Sequence, residues 1–317
     1  VVPNASDLTW ATLALDPQTV AALPTALAQV PDGQARAVVW VALIDSVCLG
    51  TVDPRDVVRT FASAWPHESS DSVLNRVATS VLGRLVPTFL PAAEQDSALE
   101  VVATAARALL ATAEPGSSRA LLAARTLARS SDDQVLLHAW ADGQDLPPAL
   151  VGDSDFRWIV IRNLASRGLV EREDIERFHA QDDTLQGRLG ALTAAAALPG
   201  AEAKAWAWAE LTTNRDRSNY ELNALAQGFW SAPGPQVLRP YVARYFEDVP
   251  AMTAWVGEDA LARVASLAYP GRVVESETLE ASQSALAGPG LSPAVRRAMV
   301  DGESELREAL ASRALYG

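Results

Sequence analysis

Apolar residues recur at helical spacing along almost the whole chain. Val73, Val77, Val81 and Leu85 stand four apart, with Leu74, Ala78 and Leu82 beside them, which makes one broad apolar stripe on a helix. Pro87 is expected to close that helix, because proline disfavours helical backbone at the residue before it. Leu99, Val102, Ala106, Leu109, Leu110 and Ala113 repeat the pattern and stop at Pro115-Gly116. Ser131 with Gln134 reads as a capping-box start, and Asp142-Gly143 as a stop. Further breaks fall at Gly168, Pro199-Gly200, Pro233-Gly234-Pro235, Pro270-Gly271 and Pro289-Gly290. Ser292 as N-cap with Pro293 at the first helical position opens the last helix. The spacing predicts about fifteen or sixteen helices of ten to twenty residues. Only the start differs. Leu8-Thr9-Trp10-Ala11-Thr12-Leu13 alternates and carries β-formers, so a short strand or an extended lead-in is expected there.

Helices joined by such short links favour antiparallel neighbours, and many in series suggest an α-solenoid in which pairs stack over a continuous core. No fixed sequence period is present. The expected fold class is therefore all-α, an irregular HEAT/armadillo-like helical solenoid (superhelix). Residues 1–15 are expected to lead in from a preceding domain, and residues 16–317 to form one helical-repeat C-terminal domain.

Composition narrows the partners. The 317 residues suffice to bury about three-quarters of the surface of the unfolded chain. Hydrophobic residues at 49% and charged residues at 21% are values of a folded globular protein. Arginine supplies nearly all the positive charge and Lys204 is the only lysine, a bias that suits a high-GC bacterial genome. Lys+Arg 26 against Asp+Glu 39 gives a formal charge of -13, and no dense run of arginine offsets it. Phosphate backbones and anionic membrane surfaces are disfavoured as partners. No stretch approaches the roughly 20 apolar residues that span a bilayer. Val1-Val2-Pro3-Asn4 has neither an initiator Met nor a signal-peptide pattern, so a trimmed chain of cytoplasmic origin is expected.

The search for chemistry finds little. Cys48, the one cysteine, lies in the apolar run Val38 to Leu49 and is expected to be a buried, inert thiol. A zincin helix needs H-E-x-x-H, because two His four apart share one helical face. The nearest approach is His67-Glu68-Ser69-Ser70-Asp71, with Asp in place of the second His and a break at Trp65-Pro66, so a loop is expected there. His138 is expected against a helix interface, and His179 on the solvated face of a charged helix. No G-x-S-x-G and no glycine-rich phosphate loop is present. The carboxylates of Asp132-Asp133, Glu171, Glu173-Asp174, Glu176 and Asp182-Asp183 fall at helix starts and on polar faces, where caps and the helix dipole account for them. No catalytic residue and no metal ligand is nominated. For binding, the polar link Asn214 to Tyr220 is singled out, with Arg215, Arg217 and Tyr220 as candidate substrate-binding residues, since arginine in such a loop can clamp a carboxylate. Phe229, Trp230, Tyr241, Tyr245 and Phe246 form an aromatic concentration at helical spacing, expected in the core.

Several segments, in order, carry a resemblance. Pro3-Asn4-Ala5-Ser6-Asp7-Leu8-Thr9-Trp10-Ala11 followed by Leu15-Asp16 resembles the opening of the C-terminal helical domain of actinobacterial aminopeptidase N. Ala113-Glu114-Pro115-Gly116-Ser117 is similar to it as well, as are Gly228-Phe229, Pro240-Tyr241-Val242, Tyr245-Phe246, Tyr269-Pro270 and Ser276-Glu277-Thr278-Leu279. These matches span essentially the whole chain. The resemblance is to gluzincin zinc metallo-aminopeptidases, the family of the endoplasmic-reticulum aminopeptidases. It implies a parent enzyme that binds Zn through an H-E-x-x-H helix and a distant Glu, and reads the amino terminus with a G-A-M-E-N-like motif. Neither motif occurs here. The resemblance therefore implies that the Zn lies in a catalytic domain of the same polypeptide, upstream of Val1, with no cofactor in this part. It further implies a bowl of helices that closes over that domain and selects peptide substrates. A free-standing HEAT-like scaffold for protein partners is the alternative that the helix pattern alone allows.

Overall fold

The computed structural model describes residues 4–9, 11–231 and 236–317. Among these, the regular structure is helical, with sixteen α-helices and no strand. The chain divides into two compact units. Unit 1 comprises residues 1–132, 147–151 and 308–317, and unit 2 comprises 133–146 and 152–307.

Unit 1 contains α1 (Pro17–Ala26), α2 (Gly33–Cys48), α3 (Pro54–Ala64), α4 (Asp71–Ser80), α5 (Ala92–Thr112) and α6 (Ser118–Ser130). Local chemistry sets their starts. The side chains of Asp16, Asp32, Asp53 and Ser117 accept hydrogen bonds from backbone N–H groups of the first turn, which have no partner inside the helix. α1 packs on α3 and α3 on α5; α2 packs on α4 and α4 on α6. Contact with the next-but-one helix as well as the next is the packing rule of HEAT- and armadillo-like stacks. Trp40, Phe61, Trp65 and Phe89 are the largest side chains of its interior, with Phe61 and Trp65 stacked at 4.7 Å. The indole N–H of Trp65 donates to the Leu74 carbonyl at 3.0 Å.

Pro87 does not end the helix begun at Asp71. The segment Val81–Phe89 continues as a π-helix with Pro87 inside it, and the Leu90 N–H reaches back five residues to the Leu85 carbonyl at 3.4 Å. Widening the helix gives room to a ring that would collide with an α-helical turn. The start proposed at Ser131 is also shifted. Ser131 closes α6, and the N-cap of the next helix is Asp133, whose carboxylate accepts from the Leu136 N–H at 3.0 Å.

Unit 2 contains α7 (Gln134–Ala141), α8 (Ser154–Ser166), α9 (Arg172–His179), α10 (Leu185–Ala197), α11 (Ala201–Thr212), α12 (Asn219–Phe229), α13 (Pro240–Ala251), α14 (Glu258–Leu267), α15 (Ser276–Ala287) and most of α16 (Pro293–Tyr316). The stops at Gly143, Gly168 and Gly290 are residues with positive φ, the left-handed backbone that glycine adopts without strain. The break expected at Pro233-Gly234-Pro235 lies outside the described residues. Again next-but-one helices pack, α8 on α10, α10 on α12, α12 on α14 and α13 on α15. Glycines allow the closest of these approaches. A Cβ at Gly190 of α10 would stand 2.3 Å from the Trp158 ring of α8, and one at Gly228 of α12 would stand 2.1 Å from the Thr193 carbonyl oxygen of α10. Phe229, Trp230, Tyr241 and Tyr245 lie in the core of this unit, joined by Trp208 and Tyr269, with Phe246 packed against its edge. Their rings meet edge-on or tilted at 4.9–5.5 Å, the geometry that aromatic quadrupoles favour. The Trp230 indole donates to the Ala268 carbonyl at 2.8 Å, so its polar edge is satisfied.

Candidate functional site

The polar link between α11 and α12 is built from its own hydrogen bonds. Arg217 sends Nε and Nη2 to Glu210 Oε2, at 2.8 and 2.7 Å, and Nη1 to Glu221 Oε1 at 3.2 Å. Its guanidinium thus ties the last turn of α11 to the first turn of α12. Asn214 Nδ2 donates to the same Glu210 oxygen at 2.9 Å, and the Asp216 N–H donates to Asn214 Oδ1 at 3.1 Å. Ser218 and Glu221 cap α12 reciprocally. Burial works to raise the Glu221 carboxyl, but the Ser218 N–H and hydroxyl, with Arg217, outweigh it and hold its pKa below the ordinary value. Of the three nominated residues, Arg217 is therefore engaged in an internal ion-pair network. Arg215 is exposed, and Tyr220 leaves 67% of its surface in solvent. An exposed cation and an exposed phenol stand on either side of a rigid cap.

The histidines do not meet. His67 is exposed in the 3-10 turn Trp65–His67, and Glu68 beside it is buried against Arg36. His138 is exposed, where a helix interface was expected; Leu137 and Trp140 take the buried side of α7. His179 is half-buried, with Nδ1 3.0 Å from the Asp182 carbonyl oxygen. Asp182 gathers hydrogen bonds from the Ser154 and Thr184 hydroxyls and the Trp158 indole, which hold its carboxyl down to about 2. Such a carboxylate joins α8 to the start of α10 and is no proton donor at neutral pH. Cys48 is half-buried rather than buried, its Sγ 3.6 Å from the Ile44 carbonyl oxygen. Among the described residues no three His, Cys, Asp or Glu side chains converge as metal ligands. The donor set that the implied zinc requires is not found in them.

In unit 1 the lead-in folds back on α2. Asn4 brackets Thr9, donating from Nδ2 to its carbonyl at 2.8 Å and accepting from its N–H at 3.1 Å. Gln34 Nε2 of α2 holds the Ser6 carbonyl at 2.9 Å. Between them lies a shallow pocket of about 150 Å³, lined by Asn4, Asp7, Leu13, Gln34, Val38 and Asp45 among others. Residues 11–16 are neither helix nor strand, and residues 4–6 form a turn; Trp10 lies outside the described residues.

Two ionic features are more deeply set than the nominated loop. Arg36 and Glu68 form a salt bridge at 2.7 Å with 6% and 2% of their surfaces exposed. Lys204 is fully buried on the first turn of α11, where its Nζ donates to the carbonyls of Ala196 and Phe229, each at 2.6 Å. A periodic signal for Lys204 is present in the sequence: Lys204, Trp208 and Leu211 share one helical face, and all three are buried. Arg36 stands likewise in register with Val39, Trp40 and Leu43. Charge by itself points both residues outward, and only the register of their neighbours shows otherwise.

No helix among the described residues is long and apolar enough to cross a membrane. In comparison with known proteins, the family model described as ERAP1-like C-terminal domain matches residues 1–308. Aminopeptidase N of Streptomyces lividans is 28% identical over 314 residues, which is 98% of this chain and 36% of that protein. The chain thus corresponds to little more than a third of the relative that it matches. A helical fold with next-but-one packing and a family match along nearly all its length agree: the chain belongs to the ERAP1-like C-terminal domain family.

Proposed function

We propose that this chain is the accessory helical part of a zinc aminopeptidase, in which a catalytic domain of the same polypeptide holds the metal and removes N-terminal residues from peptides. The observation that carries the reading is the asymmetry of coverage, 98% of this chain against 36% of the relative named aminopeptidase N. In this reading residues 1–15 connect to the catalytic domain, and the helices enclose its cavity and select cytoplasmic peptides by size and charge. Arg215 and Tyr220 are the exposed groups offered to a peptide, and Arg217 positions the loop that bears them.

An assay with aminoacyl-fluorophore substrates and added zinc tests this reading on the 317-residue chain and on the full-length gene product. Hydrolysis is expected from the full-length protein alone. Hydrolysis by the 317-residue chain would overturn the assignment, since catalysis would then come from residues described above as structural. In the full-length enzyme, Arg215→Ala and Tyr220→Ala are each expected to raise KM for peptides about two- to fivefold, the worth of an exposed contact of about 0.5–1 kcal/mol. Neither should alter kcat on the short fluorophore substrate. An unchanged KM for every peptide length would remove the loop from the substrate path.

A further inference from the structure

Helix α2 is apolar on both sides. Arg36, Val39, Trp40, Leu43 and Val47 recur at helical spacing and are all buried, so this stripe is its core face. Gln34, Ala37, Val38, Val41, Asp45 and Cys48 recur at the same spacing on the opposite side. A helix at a protein surface turns its charges outward and its apolar residues inward. α2 instead buries its one arginine and leaves 48% of Val41 in solvent. The lead-in lies along this outward stripe and makes the shallow groove with it, closed on one side by Leu13. The apolar surface continues past the groove. Leu8 on the loop and Leu49 at the end of α2 are exposed, and Leu315 lies beside Gly50, its Cδ1 3.2 Å from where a Cβ would stand. Asp7 and Asp45 line the same groove, and among the described residues neither is paired with a cation.

We propose that the outward face of α2, with the loop of residues 4–9, is the surface on which the catalytic domain of the same polypeptide docks, through an apolar patch that sets a basic group against Asp7 and Asp45. The inference rests on the peptidase reading, in which most of the polypeptide lies outside these 317 residues. One wall of the groove is the lead-in itself, which in that reading runs to the catalytic domain. A partner tethered so closely meets the groove at an effective concentration of about millimolar, which a free molecule does not reach. Charge argues against a second copy. An isologous dimer places the same patch on both sides of the interface, so the aspartates of the groove would face their own equivalents. Covering Val41, Leu8 and Leu49 supplies the apolar driving force, and the two aspartates fix the orientation of what covers them.

Hydroxyl-radical labelling read by mass spectrometry tests the surface in the zinc-loaded full-length gene product and in the 317-residue chain. Val41, Leu8 and Leu49 are expected to be oxidised at least about fivefold more slowly in the full-length protein, as side chains in the core of an interface are. Equal rates in the two proteins would overturn the proposal. So would slow oxidation in the 317-residue chain that quickens on dilution, since the occupant would then be a second copy. In the full-length protein, Val41→Arg is expected to return Leu8 and Leu49 to the rates of the 317-residue chain. Asp45→Lys is expected to raise the Val41 rate at least about twofold, because it sets like charges together. An unchanged rate in the first variant would refute the docking, and in the second its charge match. The comparison of the two unaltered proteins needs no variant, so it stands even where Val41→Arg does not fold. Aminoacyl-fluorophore hydrolysis by the same full-length sample separates the two readings. Hydrolysis with equal labelling leaves the peptidase reading standing and removes the surface; protection without hydrolysis keeps the surface and removes the peptidase reading.

Discussion

Glu68→Ala lowers the stability of unit 1 by about 3–5 kcal/mol, the loss typical of breaking a buried ion pair on one side. Arg36 is the reason. Its guanidinium is buried with Glu68, donating from Nε to both carboxylate oxygens and from Nη2 to Oε1. After the substitution only the carbonyls of Val30 and Pro31 and the Ser69 hydroxyl remain as acceptors, and none carries a charge. The Ser70 N–H, which donates to Glu68 Oε1 at 2.9 Å, loses its partner too. Urea unfolding followed by circular dichroism measures the effect. Replacing both residues by methionine should recover much of the loss, since an apolar pair of similar volume needs no neutralisation. Recovery stays incomplete, because the Val30 and Pro31 carbonyls lose their donor. A loss under about 1 kcal/mol in Glu68→Ala would mean that water reaches the guanidinium freely.

The same pair predicts acid sensitivity. Burial works to raise the Glu68 carboxyl, but the hydrogen bonds from Arg36 and the Ser70 N–H outweigh it and lower its pKa from 4.5. A carboxyl with a lowered folded-state pKa stabilises the fold at neutral pH. That stabilisation fades as pH falls below about 4.5 towards the folded value, while the unfolded carboxyl protonates first. Glu68→Ala should therefore show a smaller loss of stability between pH 5 and 3 than the unaltered chain.

The helices were legible because their signals are local. Apolar residues three and four apart and Gly or Pro breaks act within a few residues, and α5 and α16 appear where those signals stand. The π-helical continuation through Pro87 was not legible, because what keeps that segment helical is burial, with Val86, Pro87 and Thr88 all inside unit 1. His138 shows the opposite limit. Its apolar neighbours Leu137 and Trp140 do face inward, but a single residue between them can fall on the outer side of a short helix. The binding loop was legible as polar and irregular. That Arg217 would be taken up by Glu210 and Glu221 was not, because Glu210 lies seven residues away on another helix. The burial of Lys204 and Arg36 was legible in the register of their apolar neighbours, but their partners, two carbonyls and a carboxylate brought near by folding, were not.

Gly228→Ala is expected to destabilise unit 2 by about 1–3 kcal/mol, although alanine is the better helix former by about 1 kcal/mol. The added Cβ would stand 2.1 Å from the Thr193 carbonyl oxygen and 3.0 Å from the Ala196 Cβ. Backbone cannot swing aside as a flexible side chain can, so α12 must move away from α10. That movement also draws the Phe229 carbonyl from Lys204, which holds it together with the Ala196 carbonyl. The steric loss and the stretched Lys204 hydrogen bond therefore add at one crossing. Gly83→Ala is the control: no atom lies within 4 Å of the new Cβ, and φ is not positive there. It should be neutral or stabilise by up to about 1 kcal/mol through the unfolded chain's lost freedom. Urea midpoints of the two variants decide the matter. Equal stability of Gly228→Ala and the unaltered chain would show that α10 and α12 can slide without loss, and that close helix contact is not what holds this layer of unit 2 together.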